Sequence, residues 1–326
     1  MIKAVLLFIL GFILLIKGGD WFVDGATDIA HKFKLPEILI GATVVSIGTT
    51  LPELMVSAGS AFAGHGEIAY GNAIGTIICN TALVCAITIA LKPGEVDRQA
   101  LKIPVGFFFG SAIFYSVNAY MFRTYSRISG IILLLIFGVY MIINVRQAMA
   151  SYRAGTAPAE EDKAEDEKEV NIGKAILFLL IGAACIAVGA DLLIDNGIII
   201  AQVLGVPESV IALTIVAFGT SLPELVTAIT SISKGHGALS LGNVIGANLF
   251  NMVLVSGAAI TLSPFDLPSS KFIMGYNSSL VVDIPVMFIT MLILSIPPLM
   301  KGRLKRWQGI LLLAMYAAFC VYQFVS

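Results

Sequence analysis

Two carboxylates set in apolar runs, each following a proline, carry the chemistry of this 326-residue sequence. Glu53 ends Gly48-Thr49-Thr50-Leu51-Pro52-Glu53, and Glu224 ends Gly219-Thr220-Ser221-Leu222-Pro223-Glu224. A carboxylate at the middle of an apolar span is costly and marks a site by default. Pro52 offers no N–H to the carbonyl of Gly48, and its ring crowds that carbonyl, so a kinked or broken helix is predicted there. A break frees backbone oxygens, which is tolerated inside a membrane only where something else satisfies them. Each motif therefore gathers a carboxylate, hydroxyls and carbonyls, the oxygen donors that hard cations such as calcium and sodium take. One copy would read equally as a proline kink with a hydrogen-bonded acid. Two copies at equal depth favour an ion site.

Downstream of each motif runs a polar stripe. Asn72, Thr76 and Asn80 are spaced i, i+4, i+8 and share one helix face. Asn243, Ala247 and Asn251 repeat the stripe, with Ala247 breaking the symmetry. Asn80 and Asn251 are read as members of the site, although an interhelical hydrogen bond would also satisfy an asparagine. Gly71, Gly75, Gly242 and Gly246 are read as packing positions that let a neighbouring helix approach. Snorkelling and local pairing account for Lys17, Asp20, Asp24, Asp191 and Asp195. His65 and His236 fall in Gly-His-Gly turns.

The elements that hold these residues must lie in lipid. The chain is 58% hydrophobic and 13% charged, with a mean hydropathy of +0.93. Soluble domains are about 45–50% apolar and about 25% charged. A net charge of −1 gives no basic surface for a nucleic acid. Ten spans are predicted, near 2–30, 36–64, 68–91, 103–121, 128–148, 173–203, 207–234, 239–262, 279–299 and 305–325. Lys3 ahead of an apolar run imitates a signal peptide, but Lys17-Gly-Gly-Asp20-Trp21 follows instead of a cleavage site, so the run is read as a retained first span. Cys79, Cys85, Cys185 and Cys320 lie in apolar runs and are read as buried small hydrophobes.

A single long polar stretch, centred on the acidic run Glu160 to Glu169, divides the chain. It lacks the pattern of an EF-hand loop and reads as a solvated linker. The expected organisation is a first five-helix repeat at 1–149, a cytoplasmic linker at 150–172 and a second five-helix repeat at 173–326. Loop charges orient the chain. With the N-terminus outside, only Lys3, Arg123, Arg127 and Lys271 face outward, while Lys92, Arg98, Lys234, Lys301, Arg303, Lys305, Arg306 and most other basic residues face the cytoplasm. Both termini are therefore expected outside.

The two halves repeat at a constant offset of 171 residues, and 20 of the 45 pairs from Pro36 to Asn80 are identical. Packing alone preserves apolar character; it does not demand the same Gly, Thr, Pro, Glu and Asn. An odd number of spans per half turns the copies upside down relative to one another. The predicted fold class is thus an all-α integral membrane protein, ten transmembrane helices in two inverted five-helix repeats, with a site between the repeats near the midplane.

Gly-Thr-(Thr/Ser)-Leu-Pro-Glu followed by Gly-Asn-x-Ile-Gly resembles the alpha-repeats of the sodium/calcium exchanger family of the cation/calcium exchanger superfamily, prokaryotic type. The resemblance implies a ten-helix fold in which spans two, three, seven and eight surround four cation sites and spans one and six slide as gates. It implies Glu53 and Glu224 as calcium ligands, with the carbonyls of Thr49 and Thr220 beside them. It implies sodium ligation by Thr50 and Ser221, by the carbonyls at Ser46 and Ala217, and by Thr76 and Asn80. Archaeal members commonly carry Asp at the position of Asn251 and Ser at that of Ala247. The first departure removes a titratable group from the centre, and the second removes a hydroxyl from one sodium site. Potassium-dependent relatives tend to carry an acid at the position of Asn251, so potassium independence is expected.

The expected activity is electrogenic antiport of sodium against calcium by alternating access, with no cofactor beyond the transported ions. Two glutamates balance one Ca²⁺ or accept several Na⁺, and competition for the same oxygens gives exchange. The alternative is a calcium/proton, or other cation/proton, exchanger on the same scaffold, although proton-coupled relatives carry a different signature ahead of the glutamate. An intramembrane enzyme would need a His-Glu-x-x-His, Gly-x-Ser-x-Gly or Gly-x-Gly-Asp signature, and none occurs. A channel would call for one continuous charged ring.

Overall fold

The computed structural model describes residues 2–33, 35–154, 171–203, 221–269 and 272–325. Its helices are named in chain order: α1 (Ile2–Lys32), α2 (Ile38–Phe62), α3 (Gly66–Leu91), α4 (Arg98–Phe122), α5 (Arg127–Ala154), α6 (Ile172–Val203), α7 (Leu222–Ser233), α8 (Gly237–Leu262), α9 (Ser279–Lys301) and α10 (Arg306–Val325). Among the described residues, eight are long and apolar enough to cross a membrane: all but α7 and α10. The first part of the span expected at 207–234 lies outside the described residues, as does the acidic run of the linker. α5 continues through Ala154, so the polar stretch from Ala150 begins on a helix. Beside the helices stand two-residue ladders, β1 (Thr124–Tyr125) with β2 (Phe265–Asp266) and β3 (Phe272–Ile273) with β4 (Tyr276–Asn277).

Burial sorts the helices into layers. Over its most apolar stretch α8 is 83% buried and α3 72%, whereas α1, α5 and α6 are each 28% buried. The helices that carry the asparagine stripes therefore form the centre. Their core joins Ile74, Ile77 and Ile78 to Phe108, Val244, Phe250 and Met287. α1 and α6 belong to a second cluster, Leu15, Phe22, Val23, Ile186 and Leu193, which meets the start of α2 at Ile40 and Val45. They run antiparallel along a seam of small residues seven apart. A Cβ on Gly11 would lie 2.9 Å from the carbonyl of Gly189, one on Gly18 3.0 Å from that of Gly182, and one on Gly25 2.5 Å from that of Ala175. Backbones this close associate through van der Waals packing, which replaces the hydrophobic drive that lipid does not supply.

The sequence repeat carries into the backbone. Helices of 14 residues, Gly66–Cys79 and Gly237–Phe250, follow turns in which Gly64 (φ +86°) and Gly235 (φ +91°) take the left-handed conformation open to glycine. His65 and His236 then cap the two helices with nearly the same dihedrals. Each helix widens into a π turn at the last asparagine of its stripe, at Asn80–Cys85 and Asn251–Val255. A third π turn, Gly41–Val45, precedes the first motif. Its backbone is held from outside: the Tyr140 hydroxyl donates to the carbonyl of Ala42 at 3.0 Å.

Of the kink or break expected at Pro52, the break is not found. The helix Ser46–Phe62 is unbroken through Pro52. The nearest departure from α geometry lies one turn and more upstream, in the π turn Gly41–Val45. In the second copy Pro223 stands in the first turn of α7 as described, where no N–H is required.

Candidate cation centre between α2, α3, α7 and α8

Glu53 projects from α2 and Glu224 from the first turn of α7, and both are 0% exposed. The two carboxylates repel one another electrostatically. None of their four oxygens has a hydrogen-bond partner. No lysine or arginine is buried among the described residues. The ion pairs there are those of Lys234, at the end of α7, with Asp20 and Asp24 in the second half of α1. Two acids are thus enclosed with neither solvent nor a protein counter-charge. An unpaired buried charge is too costly to persist without a bound cation or a proton.

Further unpartnered polar atoms belong to residues singled out from the sequence. Thr50 Oγ1 has no partner, nor has either polar atom of the Asn80 amide. Asn251 donates its Nδ2 to the carbonyl of Ala247 at 3.0 Å, which leaves its Oδ1 unpartnered. Thr76 and Ser221 are buried, the latter beside the Cys79 thiol. The Thr49 hydroxyl turns to Asn243 Oδ1 at 3.3 Å. Ser46 points its hydroxyl at the carbonyl of Gly41, 2.7 Å away, with the Asn243 carbonyl at 3.0 Å. Thr220 and Ala217 lie outside the described residues.

The structure adds a set of braces that the sequence reading left out of the site. Asn72 Nδ2 donates to the carbonyl of Glu53 itself at 3.1 Å and lies 2.8 Å from the Ser57 hydroxyl. Asn243 Nδ2 donates to the Thr227 hydroxyl at 3.0 Å, while its Oδ1 accepts from Thr49. One amide on α8 therefore ties the second motif helix to the first. The Gly-Asn pair at the repeat offset was the available signal for both asparagines; Ser57 and Thr227 occupy non-equivalent positions and gave none. Asn248, paired in the repeat with Ile77, donates to Thr81 Oγ1 at 2.7 Å and joins α8 to α3. Gly242 and Gly246 do carry a close crossing, since a Cβ on either would strike the start of α2 at Ile38 or Ala42. No described atom lies within 4 Å of a Cβ on Gly71 or Gly75.

The donor set narrows the chemistry. It consists of carboxylate, hydroxyl and amide oxygens, and among the described residues no three His, Cys, Asp or Glu side chains cluster. Oxygen donors with two negative charges suit calcium and sodium, whereas transition metals select imidazole and thiolate.

Comparison with known proteins gives the same direction. The sequence profile described as sodium/calcium exchanger protein matches residues 3–146 and 174–325. The chain is 30% identical over 350 residues to the sodium/calcium exchanger MaX1 of Methanosarcina acetivorans, covering 98% of each. It is 35% identical over 316 residues to an uncharacterized membrane protein of Methanocaldococcus jannaschii, covering 95% of this chain and 94% of the other. It is similar to the solved structure of the sodium-calcium exchanger NCX_Mj soaked with Na⁺ and Sr²⁺, with a TM-score of 0.81, 32% identity and 97% of each chain covered.

Proposed function

The chain belongs to the sodium/calcium exchanger protein family, and from that premise we propose that it exchanges sodium for calcium through the centre around Glu53 and Glu224. One observation carries the reading: two fully buried carboxylates whose four oxygens have no hydrogen-bond partner, with further unpartnered oxygens on Thr50, Asn80 and Asn251 of α2, α3 and α8. Such a cluster is stable only when cations or protons occupy it, and it has the donor chemistry of hard cations.

In this reading Glu53 and Glu224 hold calcium together with the carbonyls of Thr49 and Thr220. Sodium takes Thr50, Ser221, Thr76, Asn80 and the carbonyls of Ser46 and Ala217. Asn251 stands neutral at the centre, which goes with potassium independence. The chain is read as ten spans in two inverted halves, 1–149 and 173–326, with both termini outside and the 150–172 linker in the cytoplasm. α1 and α6, packed as a separate pair, supply the moving element of alternating access.

The test is calcium uptake into proteoliposomes with and without an outward sodium gradient at fixed pH. Uptake driven by sodium is the expected result. Uptake indifferent to sodium but driven by a pH gradient would replace this reading with calcium/proton exchange.

A further inference from the structure

The α1–α6 pair is attached to the rest of the molecule differently at its two ends, and the repeat allows those ends to be compared residue by residue. At one end Gly19 of α1 packs on α7, where a Cβ would stand 2.8 Å from Val226 Cγ1 and 2.9 Å from Thr230 Oγ1. About one turn beyond lies Lys234, the C-cap of α7. Its Nζ donates to Asp24 Oδ1 at 2.7 Å and to the carbonyl of Asp20 at 3.0 Å, with Asp20 Oδ1 at 3.5 Å. The donors of this ammonium thus converge on one stretch of α1, 210 and more residues away in sequence.

At the repeat offset of 171 residues, the opposite end keeps the acids and drops the lysine. Asp191 and Asp195 of α6 stand for Asp20 and Asp24, Met55 and Gly59 of α2 for Val226 and Thr230, and Ala63 for Lys234. This second seam is open. Met55 is 71% exposed. No described atom comes within 4 Å of a Cβ on Gly59. Among the described residues Asp191 and Asp195 form no ion pair.

We propose that Lys234 is a one-sided ionic latch that biases the protein toward the conformation closed at the α1–α7 seam and open at the α6–α2 seam. The proposal rests on the alternating-access reading above, in whose orientation the latched face is cytoplasmic. When α1 parts from α7 the three contacts of Lys234 are lost together. When α6 closes on α2, Asp191 and Asp195 meet an alanine, so nothing replaces them. An interaction present in one state and absent from the other shifts the populations by its own free energy. Lys234 and both aspartates are partly exposed, so the shift is modest, about two- to fivefold.

The experiment uses the full chain in proteoliposomes, with Cys79, Cys85, Cys185 and Cys320 replaced by serine and Gly59→Cys as the single reporter. The readout is the rate of reaction with a membrane-impermeant maleimide. Lys234→Met is expected to slow labelling of the reporter, by at most the about two- to fivefold shift of the equilibrium. Lys234→Arg, which keeps the charge, is expected to leave labelling near the parent rate. Ala63→Lys, which offers Asp191 and Asp195 their missing cation at an exposed position, is expected to slow labelling as well. Unchanged labelling in both Lys234→Met and Ala63→Lys overturns the latch. Labelling does not require ions to move: a protein that labels as expected but shows no sodium-driven calcium flux keeps the latch and loses the exchange reading.

Discussion

Glu53 and Glu224 are set apart from the other described acids by complete enclosure, and each lacks any hydrogen bond to its carboxylate. A neutral amide in either place would remove half of the negative charge that balances a divalent ion at low dielectric. Glu53→Gln and Glu224→Gln are therefore each expected to abolish calcium transport while the protein still purifies as a folded species; normal flux in either would remove the centre from the mechanism. Asn251 makes the complementary case. Its Nδ2 is held by the Ala247 carbonyl and its Oδ1 is unpartnered. Asn251→Asp would add a third negative charge, to be matched by a further cation or a proton. Calcium transport by this variant is expected to gain pH and ion dependence, and identical pH and ion profiles would put Asn251 outside the centre. These residues were legible because a carboxylate in an apolar run needs a reason, and because the reason occurs twice. Asn72 and Asn243 were legible only in part. Their place in the stripe was clear, but not that Asn72 would hold the carbonyl of Glu53 or that Asn243 would reach Thr227. Such partners depend on how helices cross, which no periodicity reports.

At the scale of helices, hydropathy found the apolar segments well and local geometry poorly. Pro52 predicted a kinked or broken helix, and the helix is not broken there. The π turns at Gly41–Val45, Asn80–Cys85 and Asn251–Val255 were not predicted, because a π turn depends on its surroundings. Ser46 and Ser256 each donate a hydroxyl to the carbonyl five residues back, Gly41 and Asn251, so side chains help to hold two of these turns. The pairing of Asp20 and Asp24 with Lys234 was likewise hidden, since the reading offered only local partners. Crossing distance gives a direct test at this scale. A Cβ on Gly246 would stand 2.6 Å from Ala42 Cα, whereas one on Gly138 of α5 meets no described atom within 4 Å. Gly246→Ala is expected to destabilise the protein by about 1–3 kcal/mol through overpacking. Gly138→Ala is expected to be neutral or to stabilise by up to about 1 kcal/mol through helix propensity. Thermal unfolding in detergent ranks the two, and equal midpoints would mean that α2 and α8 do not meet closely at Gly246.

For the whole molecule the question is what crosses the membrane field in each half of the cycle. α3 and α8 are the most buried helices, and α1 and α6 meet in a second cluster that Ile40, Val45 and Leu239 join to the centre. An arrangement of a central body and a separate pair suits a site that stays put while access changes sides. The charge carried then follows from the residues at the site. With Asn80 and Asn251 neutral, Glu53 and Glu224 give it −2. On the proposed exchange reading one Ca²⁺ brings it to zero, and a load of three Na⁺ would bring it to +1. The two loaded states differ by one charge, so a membrane potential should bias the cycle by about 2.3 kcal/mol per 100 mV if that charge crosses the full field. Clamping calcium-loaded proteoliposomes with a potassium ionophore checks this. An inside-negative potential is expected to accelerate sodium entry and calcium exit. Rates independent of the potential would mean two Na⁺ per Ca²⁺, or a proton making up the difference.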